Sequence, residues 1–231
     1  RSKGQNIIAA SSYRRATKLH DQKEARYWDF SAKRNVIHTE ILIPNHSPSW
    51  VQALATLHIQ NPSQAAEQLW NALDAAEKRK DAQLGREIEF ALPSELTQEQ
   101  NIALAREFIQ DQFVSRGMIA DWSVHWDKGN PHVHMLLTMR ELTATGFGAR
   151  VLAWNNRDLL YTWREKWAEY ANFHLHLHQH HVKIDHRSYE EQGIDLKPGV
   201  HEGKAAQAMA NRGQDIDRIE VIRGPGGTIW G

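Results

Sequence analysis

Residues 119–140 read IADWSVHWDKGNPHVHMLLTMR. Two apolar-rich runs, near 119–126 and 132–140, are joined by Asp127-Lys128-Gly129-Asn130-Pro131, a cluster of turn formers. So short a link between two extended runs reads as a β-hairpin, and hence as antiparallel pairing. His132 and His134 differ by two, so both side chains leave one face of their strand. His125 lies late in the first strand, and the turn folds that region back beside the second. Three imidazoles can therefore converge on one divalent ion. Neutral imidazole suits Mn²⁺, Zn²⁺ or Ni²⁺, and three protein ligands leave positions open to substrate oxygens. In a chain with 14 His an isolated His-x-His pair is weak evidence; the turn-linked third histidine strengthens the metal reading against that of ordinary exposed or core histidines.

Outward from the hairpin, REIEFAL at 86–92 alternates apolar and charged residues. It predicts a half-buried strand with Ile88 and Phe90 inward and Glu87 and Glu89 on the other face. VIHTEILI at 36–43, ending at Pro44, predicts another strand. Thr97-x-x-Gln100 predicts a capping box for a helix reaching about Arg116 and stopped by Gly117. Ser63 is expected to cap a helix running to about Lys80, with Leu69, Trp70 and Leu73 in its stripe. Residues 7–19 are expected to be helical around Tyr13, and Asn155 to cap a long helix carrying Trp163, Trp167 and Tyr170. From Lys183 the chain is polar and loop-like. Strands and helices mix without regular βαβ alternation, so the expected class is α+β with an antiparallel sheet.

At 231 residues the chain can build one sizeable domain. Its 28 Lys+Arg balance its 28 Asp+Glu, so binding to nucleic acid would need a basic face rather than a basic protein. The first 35 residues offer one, with nine basic residues against three acidic. The absence of cysteine excludes disulfides and thiolate metal sites. No apolar run approaches the ~20 residues that span a membrane, and RSKGQN lacks the apolar core of a signal peptide; no membrane insertion and a cytoplasmic location are expected.

A metal ion beside a phosphate polarises phosphorus and offsets developing charge, but a nucleophile is still required. Tyr13 sits in a small-residue, basic setting with Arg14 and Arg15, where positive charge favours phenolate and attracts a phosphodiester. Alone, it is also an ordinary packing tyrosine. Glu87 or Glu89 can serve as general base if directed at the metal or the hydroxyl, or can simply face solvent; Arg86 can hold either by charge. HLHLHQHH at 174–181 is a second imidazole cluster, read as a solvated helix end.

Five stretches together resemble the relaxase domain of the MobA/MobL mobilisation proteins: RSKGQNIIAASSYR around Tyr13, EIEFALPSEL at 87–96, HWDKGNPHVHMLLTMRE at 125–141, WNNRDLL through REKWAEYAN at 154–172, and IDHRSYEEQGIDLKPGVHEG at 184–203. The resemblance covers roughly residues 1–215. It implies the HUH-endonuclease fold, an antiparallel sheet with helices on one side and the histidines on central strands. It implies nicking of single-stranded DNA at a transfer origin, with Mg²⁺ or Mn²⁺, through a tyrosine that becomes joined to the 5′ phosphate. By position it assigns Tyr13 as nucleophile, His125, His132 and His134 as metal ligands, and Glu87 or Glu89 as a carboxylate near the site. Accessory mobilisation proteins and coupling or secretion machinery are the implied partners.

Two departures accompany the likeness. Family members begin with a strand of about ten residues ahead of the RSKGQ-like segment, so an N-terminally truncated domain is expected over residues 1–215. Residues 216–231 are expected to be an atypical tail, foreign or disordered, and IEVIRGPGG within it is similar to part of the plug domain of TonB-dependent receptors. For the DNA, Arg14, Arg15, Lys18 and Arg150, with Arg140 and Arg157, are candidate phosphate contacts. Trp126 and Trp154, with Trp28, are candidate stacking platforms. Two alternatives stand beside this: a rolling-circle replication initiator using Tyr161 or Tyr170, and a non-catalytic single-stranded DNA-binding module.

Overall fold

The structure, a computed structural model, describes residues 6–79 and 83–195. In chain order the elements are helix α1 (Ile7–Arg14), strands β1 (Lys18–Asp21), β2 (Arg26–Asp29) and β3 (Val36–Leu42), helices α2 (Ser49–Gln60) and α3 (Pro62–Ala76), strand β4 (Gly85–Ala91), helix α4 (Gln98–Gln112), strands β5 (Ala120–Asp127), β6 (Asn130–Thr138), β7 (Arg140–Thr143) and β8 (Gly146–Arg150), and helix α5 (Asp158–Leu177). The expected α+β architecture is present. A four-stranded sheet in the order β3-β5-β6-β4 is antiparallel throughout, and β1-β2 and β7-β8 form separate two-stranded ribbons.

The central hairpin forms as expected. Asp127 pairs with Asn130, leaving Lys128-Gly129 as the turn, and Gly129 takes a φ of 75° that a side chain would resist. The register sets His125 opposite His132, and His134 between Ser123 and Glu89. Asp121 and Glu87 flank Leu136 one step further along. All of these side chains leave one face of the sheet.

The opposite face carries Ile88, Phe90, Trp122, Val124, Val133 and Met135, which pack with Leu104 and Phe108 of α4 and Trp163 and Trp167 of α5. Phe90 meets Trp167 at 4.4 Å between ring centroids. Each fully buried side chain of this size contributes on the order of 2–3 kcal/mol. A second core holds Ile41 and Leu136 against Ile8 of α1 and Leu69, Trp70 and Leu73 of α3. Helices thus cover both faces, not one as the resemblance implies. The reason lies in β6: Met135, Leu136 and Leu137 are consecutive and all buried, the pattern of a strand covered on both sides. The second face is sheltered at the Leu136 end and carries the histidines at the other.

Several local expectations need correction. Helix α1 stops at Arg14, and Ala16 turns the chain with a φ of 50°, so residues 18–21 form a strand instead of more helix. Helix α3 is capped by Asn61, whose side chain accepts from Gln64 N, with Pro62 in the first turn; Ser63 is already inside it. It ends at Ala76, short of Lys80, which lies outside the described residues. Helix α5 starts at Asp158 without a side-chain cap from Asn155. The Thr97–Gln100 capping box is reciprocal, at 2.8 and 3.3 Å, and Gly117 ends that segment with a φ of 101°. The boundary expected at 215 and the tail at 216–231 lie outside the described residues. Among the described residues no helix is long and apolar enough to cross a membrane.

Candidate active site

His125, His132 and His134 converge: each offers a ring nitrogen, and these lie within 4.8 Å of one another. His125 is 1% exposed and His132 8%. His132 donates from Nδ1 to the Asn130 carbonyl at 2.8 Å, which leaves its Nε2 with a free lone pair. That Nε2 faces Nε2 of His134 at 3.2 Å. Two lone pairs cannot bond each other, yet both fit one cation: ligand nitrogens about 2.0–2.1 Å from a tetrahedral ion stand about 3.3–3.4 Å apart. His134 turns Nδ1 toward carboxylate oxygens of Glu87 and Glu89, each at 3.5 Å, longer than a good hydrogen bond but on the side where outer partners of a ligating imidazole stand. His125 donates from Nε2 to the Arg14 carbonyl at 2.7 Å, so its Nδ1 carries the lone pair, and the Lys33 ammonium stands there at 3.1 Å. Burial outweighs the Arg14 carbonyl and, with the neighbouring charges of His134, Lys33 and His132, lowers the His125 pKa to about 3. The ring is neutral near pH 7, the form a ligand needs. Nε2 of His132 and Nε2 of His134 stand as two ligands of one divalent ion would, and His125 completes the set when the Lys33 ammonium moves off its Nδ1.

Tyr13 stands on the last turn of α1, 37% exposed, with its ring edge-on to Phe30 at 5.3 Å. Lys33 Nζ lies 4.1 Å from the Tyr13 ring centroid. The same ammonium thus touches both the tyrosine ring and His125. The next peptide in the chain supplies the carbonyl that receives His125. Tyrosine and imidazoles are brought together from segments more than a hundred residues apart in the sequence.

Glu87 is held by Arg14, whose Nε donates to Oε1 at 2.9 Å and whose Nη2 closes the ion pair. Partial burial alone would raise its pKa, but the hydrogen bonds and charges of His134 and Arg14 outweigh it and lower the carboxyl to about 2. Arg86 goes elsewhere: it bonds Asn155 at 2.6 Å and lies over Trp163, so it holds neither glutamate.

The proposed DNA contacts fare unevenly. Arg15 is turned inward, its side chain 2% exposed and paired with Asp121, so it is corrected from phosphate contact to buried ion pair. Trp126 leaves the opposite face of β5 from His125, as consecutive residues must, and packs against the α4–α5 core. Trp154 packs on the same core beside Gly117, beyond the far end of β5. Neither ring flanks the imidazoles. Trp28 is part-buried under the Arg26 guanidinium, 3.8 Å away. Arg14 lies at the site, Lys18 is exposed beside Tyr27, and Arg150 reaches Gln83 on the surface. The 174–181 cluster does not converge: His174 bonds Glu107 at 2.8 Å and His178 bonds Gln100 at 3.0 Å.

The MobA/MobL family model matches residues 5–212. The chain belongs to the MobA/MobL family. Among its relatives, the conjugal transfer protein TraA of Agrobacterium fabrum is 39% identical over 249 residues, covering 96% of this chain and 22% of that protein. Mobilization protein A of Escherichia coli is 32% identical, with 96% of this chain and 30% of that protein covered. The chain therefore spans less than a third of either relative. A solved structure described as "Molecular Basis of Vancomycin Resistance Transfer in Staphylococcus aureus" superposes with a TM-score of 0.70 at 31% identity, covering 80% of this chain and 93% of that one. This MobA/MobL chain shares the fold and family of conjugal-transfer and mobilisation proteins.

The site residues missed by sequence reasoning are Lys33 and Asp121. Lys33 was one of nine basic residues in its segment with nothing to single it out. Asp121 did carry a signal: a carboxylate in a strand whose residues 120–125 are all buried must have a partner.

Proposed function

We propose that this chain is a relaxase that nicks one strand of DNA at a transfer origin, with Tyr13 as nucleophile. The observation that carries the reading is the single Lys33 ammonium shared by the Tyr13 ring and His125, which sets a phenol beside a three-imidazole cluster. Tyr13 Oη forms a bond to phosphorus, and the bond from phosphorus to the 3′ oxygen breaks. That oxygen leaves with the electron pair and takes up a proton, and the phosphate stays on the tyrosine as a 5′-phosphotyrosyl link. The reverse step rejoins the strand.

His125, His132 and His134 would hold the ion, Mg²⁺ or Mn²⁺, which when bound supplies positive charge beside the non-bridging phosphate oxygens. Lys33, moved off His125 Nδ1 by the ion, and Arg14 add positive charge where the phosphodiester must enter. Of the two glutamates, Glu87 is the poorer base: a carboxyl lowered to about 2 accepts a phenolic proton weakly. Its role is to orient His134 and Arg14. Glu89, free of Arg14 and 45% exposed at its side chain, is the remaining carboxylate for the role of base. Lys18 and Arg150 track the strand as phosphate contacts. A cytoplasmic location, accessory mobilisation proteins and coupling or secretion machinery go with this reading.

The replication-initiator alternative places the nucleophile on α5. Tyr170 is ill suited: burial, then its 2.5 Å bond to Asp111, raise its pKa to about 12, and α5 packs on the face of the sheet away from the histidines.

The test is incubation with Mn²⁺ and an end-labelled single-stranded oligonucleotide from the transfer origin of the replicon that carries the gene, followed by a denaturing gel. The expected result is a cut strand and a protein-linked product, both lost in Tyr13→Phe and His132→Ala. Binding without cutting by the unaltered protein would instead support a non-catalytic DNA-binding module.

A further inference from the structure

We propose that Asp121 is a positioning residue for the nucleophile, gripping α1 on both sides of Tyr13. This rests on Tyr13 being the attacking group. Asp121 Oδ2 accepts from Ser11 Oγ at 2.7 Å and from Trp70 Nε1 at 2.7 Å, and Oδ1 accepts from Arg15 Nη1 at 2.5 Å. Ser11 and Arg15 are four apart and so lie on one side of the helical turn. Tyr13, midway between them, is turned outward. The carboxylate therefore holds the two residues that bracket the tyrosine while making no contact with its ring, which meets Phe30 and Lys33 instead.

The grip is buried. The Asp121 and Arg15 side chains are each 2% exposed, and the strand neighbours of Asp121 are Leu136 and Ile41. In such surroundings a paired charge is strongly directional, because any displacement leaves charge without water or partner. Arg15 is itself braced by Thr39 Oγ1 at 3.2 Å and by the Pro62 carbonyl at 3.3 Å. One guanidinium thereby joins β3, β5 and the start of α3 to the end of α1.

A helix of eight residues has little stability of its own, so its place is decided by tertiary contacts. Asp121 and His125 are four apart on β5, on the same face, about 13 Å apart at the usual rise. Strand β5 thus holds the tyrosine segment twice: through Asp121, and through the His125 bond to the Arg14 carbonyl. The strand that presents an imidazole to the phosphate is the one that sets the tyrosine's distance from it. A shift of about 1 Å in such a pair can cost about 100-fold in rate.

The experiment measures single-turnover formation of the protein–DNA adduct by the full chain, at saturating Mn²⁺, on an oligonucleotide that the unaltered protein cuts. Asp121→Asn keeps the volume but removes the charge; Arg15→Lys keeps the charge but removes the planar fork. We expect the maximal rate to fall about 10–100-fold in Asp121→Asn and less in Arg15→Lys. Affinities for Mn²⁺ and DNA should stay within about threefold, and both proteins should be fully folded at the assay temperature. Simple destabilisation would not lower the maximal rate of a folded population. Unchanged maximal rates overturn the positioning role, as does a loss confined to DNA affinity. If Asp121→Asn fails to fold, Arg15→Lys decides by the same criterion. No adduct from the unaltered protein would refute the tyrosine reading itself, whereas an adduct formed equally fast by both variants refutes only the role of Asp121.

Discussion

Replacing Glu87 by Gln removes a charge that both Arg14 and His134 face, at almost constant volume. The carboxyl pKa falls from 4.5 to about 2. Taken whole, such a difference would correspond to about 3 kcal/mol. The side chain is 41% exposed, so solvent screening reduces the expected effect to about 1–1.5 kcal/mol. The sign follows from linkage: a carboxylate with a lowered folded-state pKa stabilises above its unfolded value and loses that contribution as pH falls toward 2. Urea unfolding of the metal-free protein should therefore show Glu87→Gln less stable by about 1–1.5 kcal/mol at pH 7 and at pH 5.5. The gap should narrow below pH 4.5. Mn²⁺ affinity, read by calorimetry, should drop about 10-fold or more because the outer partner of His134 is weakened. Equal stability at pH 7 together with equal Mn²⁺ affinity would refute the orienting role given to Glu87.

Trp70→Phe deletes the indole N–H that Asp121 accepts, in a fully buried site, and should cost about 2–4 kcal/mol in urea unfolding; a cost below about 1 kcal/mol would contradict the buried network. Tyr170→Phe should leave adduct formation unchanged in the gel assay, whereas loss of the adduct would favour a nucleophile on α5. Asp21 is buried and holds the β1–β2 turn through the Lys23 and Glu24 amides. Burial raises its pKa, but the hydrogen bonds from Glu24 and Asn6 lead those that bring it below its usual value. Asp21→Asn should therefore lower stability at neutral pH, with the difference from the unaltered protein shrinking below about pH 4 in thermal melts.

The three-imidazole cluster was legible because its geometry is local. A tight turn and a two-residue spacing fix which imidazoles meet, whatever the rest of the chain does. The same parity rule, applied to the adjacent pair His125 and Trp126, would have placed that tryptophan on the opposite face. The Thr97–Gln100 box and the Ile88/Phe90 alternation were legible for the same reason. The short ribbon of β1 and β2 was not: KLHD and RYWD are half charged and too short to show a period of two. The inward turn of Arg15 depends on Asp121, 106 residues away, and nothing in the local sequence separates it from its exposed neighbour Lys18. Likewise Lys33 acquires its place only when the loop before β3 folds over α1.

Peptide mass mapping of the covalent protein–DNA product bears most directly on the account. After nuclease and protease digestion, the nucleotide remnant should sit on Tyr13, attached through a 5′ phosphate, and should be missing when Mn²⁺ is chelated. A remnant on Tyr161 or Tyr170, or cleavage that leaves free 5′ phosphate and no modified peptide, would contradict it.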